Sequence, residues 1–224
     1  MNEPILEAKG VTKSYPMGNS RLEVLKGVDF KVHKGEAVCI VGSSGAGKST
    51  LLHILGTLDQ PTLGKVFFKG QDLTRKDDAA MAKFRGDSMG FVFQFHHLLQ
   101  EFRAIENVMM PCRLAGLSPK ESRKLAQELI DQMGLSARAE HFPSEMSGGE
   151  QQRLAIARAL VRKPEVLFAD EPTGNLDTEN AAKIQELFFD LKNRMNLTLV
   201  TVTHDTAFAA RFPRILKMRD GKWA

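Results

Sequence analysis

A chain of 224 residues, 42% hydrophobic and 26% charged, is long enough to bury one large core and has an ordinary globular composition. Its 31 basic and 27 acidic residues leave a net charge of +4, too small and too evenly spread to argue for a nucleic-acid partner. No apolar run reaches the ~18 residues of a spanning helix. The first residues, MNEPILEAKG, lack the charged start and apolar stretch of a secretory leader, and Cys39 and Cys112 have no CxxC spacing. These features predict a cytosolic chain that does not enter a membrane by itself.

The first third alternates apolar and polar residues. ILEAKGVTKSY and LEVLKGVDFKV read as short strands broken by Gly10, Gly18 and Gly27. EAVCIVG is a continuous apolar run, the pattern of a strand covered on both faces. A glycine-rich loop follows, then a helix over KSTLLHILGTL, a short strand in GKVFFKG and a helical start in DDAAMAKFRGD. In FVFQFHHLLQEF, Phe91 and Phe93 face one side of a strand and are expected in the core, with Gln94 at the strand's end. Adjacent His96 and His97 point apart on such a backbone, which argues against a metal site. From about residue 103 to 162 the period is helical. Ser118 caps one helix with Pro119 at its first position and Gly134 near its end. A second helix, GEQQRLAIARAL, puts Leu154, Ala157 and Val161 on one face and is stopped by Pro164. Strands return in EVLFAD and LTLVTVT, with a helix from Thr178 to Met195 between them. This order predicts an α/β core with a helical insertion and a small β portion near the N-terminus.

Three clusters carry chemistry. GSSGAGKST (Gly42, Ser43, Ser44, Gly45, Ala46, Gly47, Lys48, Ser49 and Thr50) fits G-x-x-x-x-G-K-[ST] between a strand and a helix. Its glycines let backbone N–H groups converge on an anion, and the helix N-terminus adds partial positive charge. Lys48 reaches β- and γ-phosphates, and the Ser49 hydroxyl suits Mg²⁺. EVLFADEP ends an apolar strand in Asp170, placed to hold a metal's water shell, and Glu171, placed to act on a water. LTLVTVTHD puts His204 at a strand end for a γ-phosphate contact. In MSGGEQQR, Ser147 and Glu150 form a capping box. Gly148 and Gly149 weaken the helix but expose its amides, a second anion site that would complete the pocket of another copy.

Taken in order, GSSGAGKST, Gln94, SGGEQQR, VLFADEP, NLD and THD resemble the ATP-binding subunit of an ABC transporter over essentially the whole chain. The resemblance implies an α/β P-loop NTPase with a RecA-like core, an N-terminal antiparallel β portion and an inserted α-helical subdomain. It makes the chain one nucleotide-binding domain, with its core near 1–94 and 163–224 and the helical subdomain near 95–162. It implies an ATPase using ATP and Mg²⁺, dimerising head to tail around two nucleotides. Tyr15 would stack on adenine, Gln94 would sense Mg²⁺ and the attacking water, and Asp177 would communicate across the dimer. Two departures are mild: Met146 replaces a usual leucine, and Asn175-Leu176-Asp177 replaces the commoner Ser-Ala-Leu-Asp. The second is familiar in the branch of lipoprotein-releasing, macrolide-export and cell-division ATPases. QFHHLLQEFRAIENVMMP is most similar to the lipoprotein-releasing members, with Gln100 where proline is usual. Lipoprotein release from the inner membrane is therefore the expected function, on that membrane's cytoplasmic face. A macrolide-export or cell-division type, or a soluble non-transport ABC ATPase, is the alternative. Integral membrane subunits would dock near His96 to Phe102, with Phe95 mostly packed beneath them.

Overall fold

The computed structural model describes residues 3–18, 20–74 and 77–224. The chain divides into two compact units, Met1–Ala82 with Met195–Ala224, and Lys83–Arg194.

The first unit opens with two long antiparallel strands, β1 (Leu6–Met17) and β2 (Ser20–Val32), paired from Leu6↔Val32 to Met17↔Ser20. The strands are not broken at Gly10 and Gly27, as their glycines suggest; both run through. The two glycines take φ of 56° and 82°, and the ladder shifts register between Ala8 and Val11. A residue free to adopt positive φ lets a strand bulge and bend without ending. Strands β3 (Ala37–Val41), β4 (Leu63–Phe68) and β5 (Gln71–Asp72) follow, with helix α1 (Lys48–Leu55) between β3 and β4. β4 pairs with β1, and β5 with β4, both antiparallel. Helix α2 (Asp78–Ser88) contains the division between the units.

The second unit contains β6 (Met89–Phe93), α3 (Ala104–Leu114), α4 (Pro119–Gln132), α5 (Gly148–Leu160), β7 (Val166–Asp170) and α6 (Thr178–Met195). β6 and β7 are parallel, in register from Met89↔Val166 to Phe93↔Asp170, and α3, α4 and α5 pack on one another. The chain then returns to the first unit with β8 (Thr198–Val202), α7 (Thr206–Ala209), β9 (Arg214–Arg219) and β10 (Lys222–Trp223). There β3 lies between parallel β8 and β9, and β10 is antiparallel to β9. Val38, Cys39 and Ile40 have no exposed surface, which explains the unbroken apolar run.

Local signals place the helix ends well. Ser118 accepts a bond from the Glu121 N–H with Pro119 at the first position, and Ser147 does the same for Glu150. On α5, however, Ala155 and Ile156 are buried beside Leu154, Ala157 and Val161. The helix is enclosed on more than the one face expected, because α3, α4 and β6 all pack against it.

Two expectations about residues 91–102 change. Phe91 and Phe93 do share a face, with ring centroids 6.1 Å apart, but both are only half-buried. Val92 on the opposite face is the buried residue, and Phe91 reaches the core by stacking on Phe168 at 5.4 Å. Phe95 is 66% exposed rather than packed; Leu98, at 7%, is the apolar anchor of the segment. The reason is Asn107, fully buried on α3. Its amide nitrogen reaches the carbonyls of Leu99, Phe102 and Arg103, and its oxygen accepts from the Leu99 N–H at 2.8 Å. The loop is thereby drawn in at Leu98 and left outward at Phe95.

Candidate functional site

The phosphate loop leaves the end of β3 and closes on α1. Gly47 is the N-cap, with φ of 98°, and a Cβ there would stand 2.9 Å from Leu25 Cδ2. At Gly42 a Cβ would meet the Met218 carbonyl oxygen at 2.2 Å. Both positions therefore require glycine. Ala46 is buried and its carbonyl accepts from the Gly221 N–H, while Ser43, Ser44 and Gly45 face solvent. Lys48 is buried, and its Nζ donates to the Gly42 and Ser43 carbonyls at 2.9 and 3.1 Å. The ammonium thus lies across the loop, within reach of an anion that the loop amides would hold. Ser49 and Thr50 follow in the first turn of α1, half-buried.

His204 belongs to the same edge. Ile40 and Val202 are register partners, and the Thr203 N–H donates to the Ile40 carbonyl. The loop after β3 and the turn after β8 therefore leave the sheet at equal height, and His204 is exposed there. Tyr15, near the end of β1, is 38% exposed. Its hydroxyl donates to Asp59 Oδ2 at 2.8 Å.

In the second unit the pairing Phe93↔Asp170 makes Gln94 and Glu171 leave adjacent strands together. Gln94 is held at both ends by Asn175: its Nε2 donates to Asn175 Oδ1 at 3.0 Å, and its carbonyl accepts from Asn175 Nδ2 at 3.1 Å. Asn175 thus gains a task that its place in the NLD segment did not announce. Glu171 has φ of 46°, a left-handed backbone that costs a non-glycine residue about 1–3 kcal/mol. The turn is fixed by the Gly174 N–H bonding the Glu171 carbonyl. Fully buried Gln152 of α5 also donates to the Pro172 carbonyl at 2.7 Å.

At the start of α5, Gly148 is exposed but Gly149 is buried, so only one of the two glycines opens the helix end as expected. A Cβ on Gly149 would stand 2.8 Å from Asn180 Oδ1. Asn180 is itself bound to Asp177, whose carboxylate accepts from the Asn180 backbone and side-chain nitrogens at 2.9 and 2.7 Å. Those bonds, the backbone one foremost, hold the Asp177 carboxyl below the usual carboxylate range. The NLD segment and the SGGE helix are therefore packed through one asparagine. Glu150 accepts from the Ser147 N–H at 2.8 Å and from Arg138 Nε at 2.9 Å. The Arg138 bond foremost, then the Ser147 amide, lower its carboxyl to about 2. Arg138 and Asn180 lie outside the quoted motifs, while Asn175 and Gln152 lie inside NLD and SGGEQQR without a role assigned from the sequence; each acts on a motif residue through the fold.

A buried strand, a glycine loop with an inward lysine and a helix opened by that loop define a P-loop nucleotide-binding domain. The ABC transporter family model matches residues 25–174. The chain is 56% identical over 218 residues to the lipoprotein-releasing system ATP-binding protein LolD of Bdellovibrio bacteriovorus, covering 97% of this chain and 99% of that one. It is 50% identical to the LolD of Bacteroides thetaiotaomicron, over 97% and 98% of the two chains. It is also similar to the dimeric post-hydrolysis structure of the ATP-binding cassette MJ0796 bound to ADP and Pi. That likeness has a TM-score of 0.90 at 40% identity, over 97% and 96% of the chains. The chain belongs to the ABC transporter family and has the fold of its ATP-binding cassettes.

Proposed function

We propose that this chain is the ATP-hydrolysing subunit of a lipoprotein-releasing ABC transporter, bound to the cytoplasmic face of the inner membrane through integral membrane subunits. The observation that carries the nucleotide reading is Lys48, buried in a glycine cradle with its ammonium on the loop carbonyls. Near full-length likeness to LolD proteins supports the cargo. No helix among the described residues is long and apolar enough to cross a membrane, so on this reading the membrane path lies in partner chains.

The residues divide the work. The loop amides from Gly42 to Thr50 and Lys48 bind the phosphates, and Tyr15 receives adenine. Ser49, Asp170 and Gln94 suit Mg²⁺, an oxygen hydroxyl, a carboxylate and an amide being hard donors. When bound, the metal neutralises charge on the phosphates. Glu171 orients the attacking water and His204 meets the γ-phosphate. Ser147, Gly148, Gly149 and Glu150 present a capped helix N-terminus to the nucleotide of a second copy, with Asp177 beside them. Catalysis is then electrostatic, and closure of the dimer supplies part of it. Residues 95–162 act as the helical subdomain, and the exposed Phe95, Leu99 and Phe102 form the docking edge for the membrane subunits.

Purification of the tagged chain from membranes, with its partners reconstituted in lipoprotein-loaded vesicles, tests the proposal. ATP-dependent lipoprotein release is expected. A complex that hydrolyses ATP without moving lipoprotein overturns the cargo assignment.

A further inference from the structure

Tyr15 is tied to the element that carries the phosphate loop. Its hydroxyl donates to Asp59 Oδ2 at 2.8 Å. Asp59 follows α1 closely, in a turn held by its N–H on the His53 carbonyl. Lys13 lies two residues before Tyr15, on the same face of the strand. Its Nζ donates to Asp59 Oδ1 at 2.6 Å and to the Gln60 carbonyl at 2.7 Å, and lies 4.9 Å from the Tyr15 ring centroid. Burial and then the bond to the Asp59 carboxylate push the phenol pKa up. Burial also works to raise the Asp59 carboxyl, but the bonds from Lys13, Tyr15 and the Gln60 N–H outweigh it and hold Asp59 below its usual range. The side chain that sequence resemblance assigns to the base is thus locked at its far end, while its ring stays open to solvent.

We propose that Asp59, with Lys13, is a positioning residue for nucleobase binding: it fixes the Tyr15 ring at a set place relative to the phosphate loop, ready to stack on a purine. This rests on the reading of Tyr15 as the base-stacking residue. A tyrosine near the end of a surface strand otherwise samples several rotamers, and a ligand must pay for immobilising it. The tie removes that cost in advance and sets the spacing between base and triphosphate.

The test uses the full chain without magnesium, so that no turnover occurs, and two probes, ATP and inorganic tripolyphosphate, which lacks a base. Asp59→Ala and Tyr15→Phe, each keeping the ring, should both weaken ATP about 3- to 10-fold, the cost of immobilising one side chain. Tripolyphosphate affinity should not change, and in a separate assay with magnesium Asp59→Ala should raise KM without lowering kcat. Equal weakening of both probes would mean that Asp59 merely supports α1, and normal ATP binding by either variant would also overturn the proposal. Tyr15→Ala separates the two layers. If it binds ATP normally, the base-stacking reading fails as well. If it alone weakens ATP, that reading stands and only the positioning role falls.

Discussion

Arg158 Nη1 donates to the His97 carbonyl at 2.6 Å and Nη2 to the His96 carbonyl at 2.7 Å. One fork from α5, the helix that begins with SGGE, holds two successive peptides just beyond Gln94. His97 has φ of 48°, and its ring sits edge-on to Phe93 at 5.1 Å. Burial first, then the charges of His97 and Arg158, lower the His96 pKa. The outward loop keeps its shape because a cation from the far end of α5 supplies its missing hydrogen bonds.

Arg158→Met should therefore destabilise the protein by about 2–3 kcal/mol, the loss of charged hydrogen bonds to two carbonyls. A lower urea midpoint at unchanged slope would show it. Arg158→Lys should recover only part, since one ammonium lacks the planar fork. A wild-type midpoint for Arg158→Met would mean that water satisfies both carbonyls.

Glu171→Gln keeps the size and hydrogen-bonding ends of the side chain and removes its charge. Turnover should fall about 100-fold or more, with ATP binding kept and a dimer accumulating in size-exclusion chromatography. Near-normal turnover in this variant would remove Glu171 from its assigned role.

The Arg138–Glu150 pair predicts a pH dependence. The Glu150 pKa is lowered in the folded state, to about 2 from 4.5. Its contribution is therefore fully present above pH 4.5 and is lost as pH falls toward 2. The Arg138 side chain is 43% exposed, so screening holds its share of the contribution to about 1 kcal/mol or less. Arg138→Met should lose that amount at neutral pH and lose less below pH 4.5. A destabilisation independent of pH between 2 and 6 would show that Arg138 acts by packing alone.

Docking should depend on Phe95 and Leu99 more than on the neighbouring histidines. Phe95→Ser with Leu99→Ser should cost about 0.5 kcal/mol or less in stability, since both side chains are exposed. ATP binding should persist while co-purification with membrane subunits is lost. Substitution of Leu98 would instead weaken the fold, since that side chain is buried. Full membrane assembly of the Phe95/Leu99 variant would move the docking surface elsewhere.

Local features were readable in the sequence because their physics is local. The phosphate loop needs glycines and a lysine within nine residues, a strand before and a helix after. The Ser118 and Ser147 caps span three residues each, and the limits of α6 and the buried strand β3 follow from periodicity. The tertiary structure alone decided the rest. Whether Phe95 or Leu98 turns inward depends on Asn107, on the helix that directly follows the loop, and on the Arg158 fork that reaches the loop from α5. The Tyr15–Asp59 bond joins residues 44 apart and the Arg158–His97 bond residues 61 apart. A Cβ on Gly149 would meet Asn180 Oδ1 at 2.8 Å, a contact that joins two separate helices. Hydropathy and spacing cannot express such contacts. They arise only when distant segments are packed so closely that a side chain or a single hydrogen bond determines which way a neighbour points.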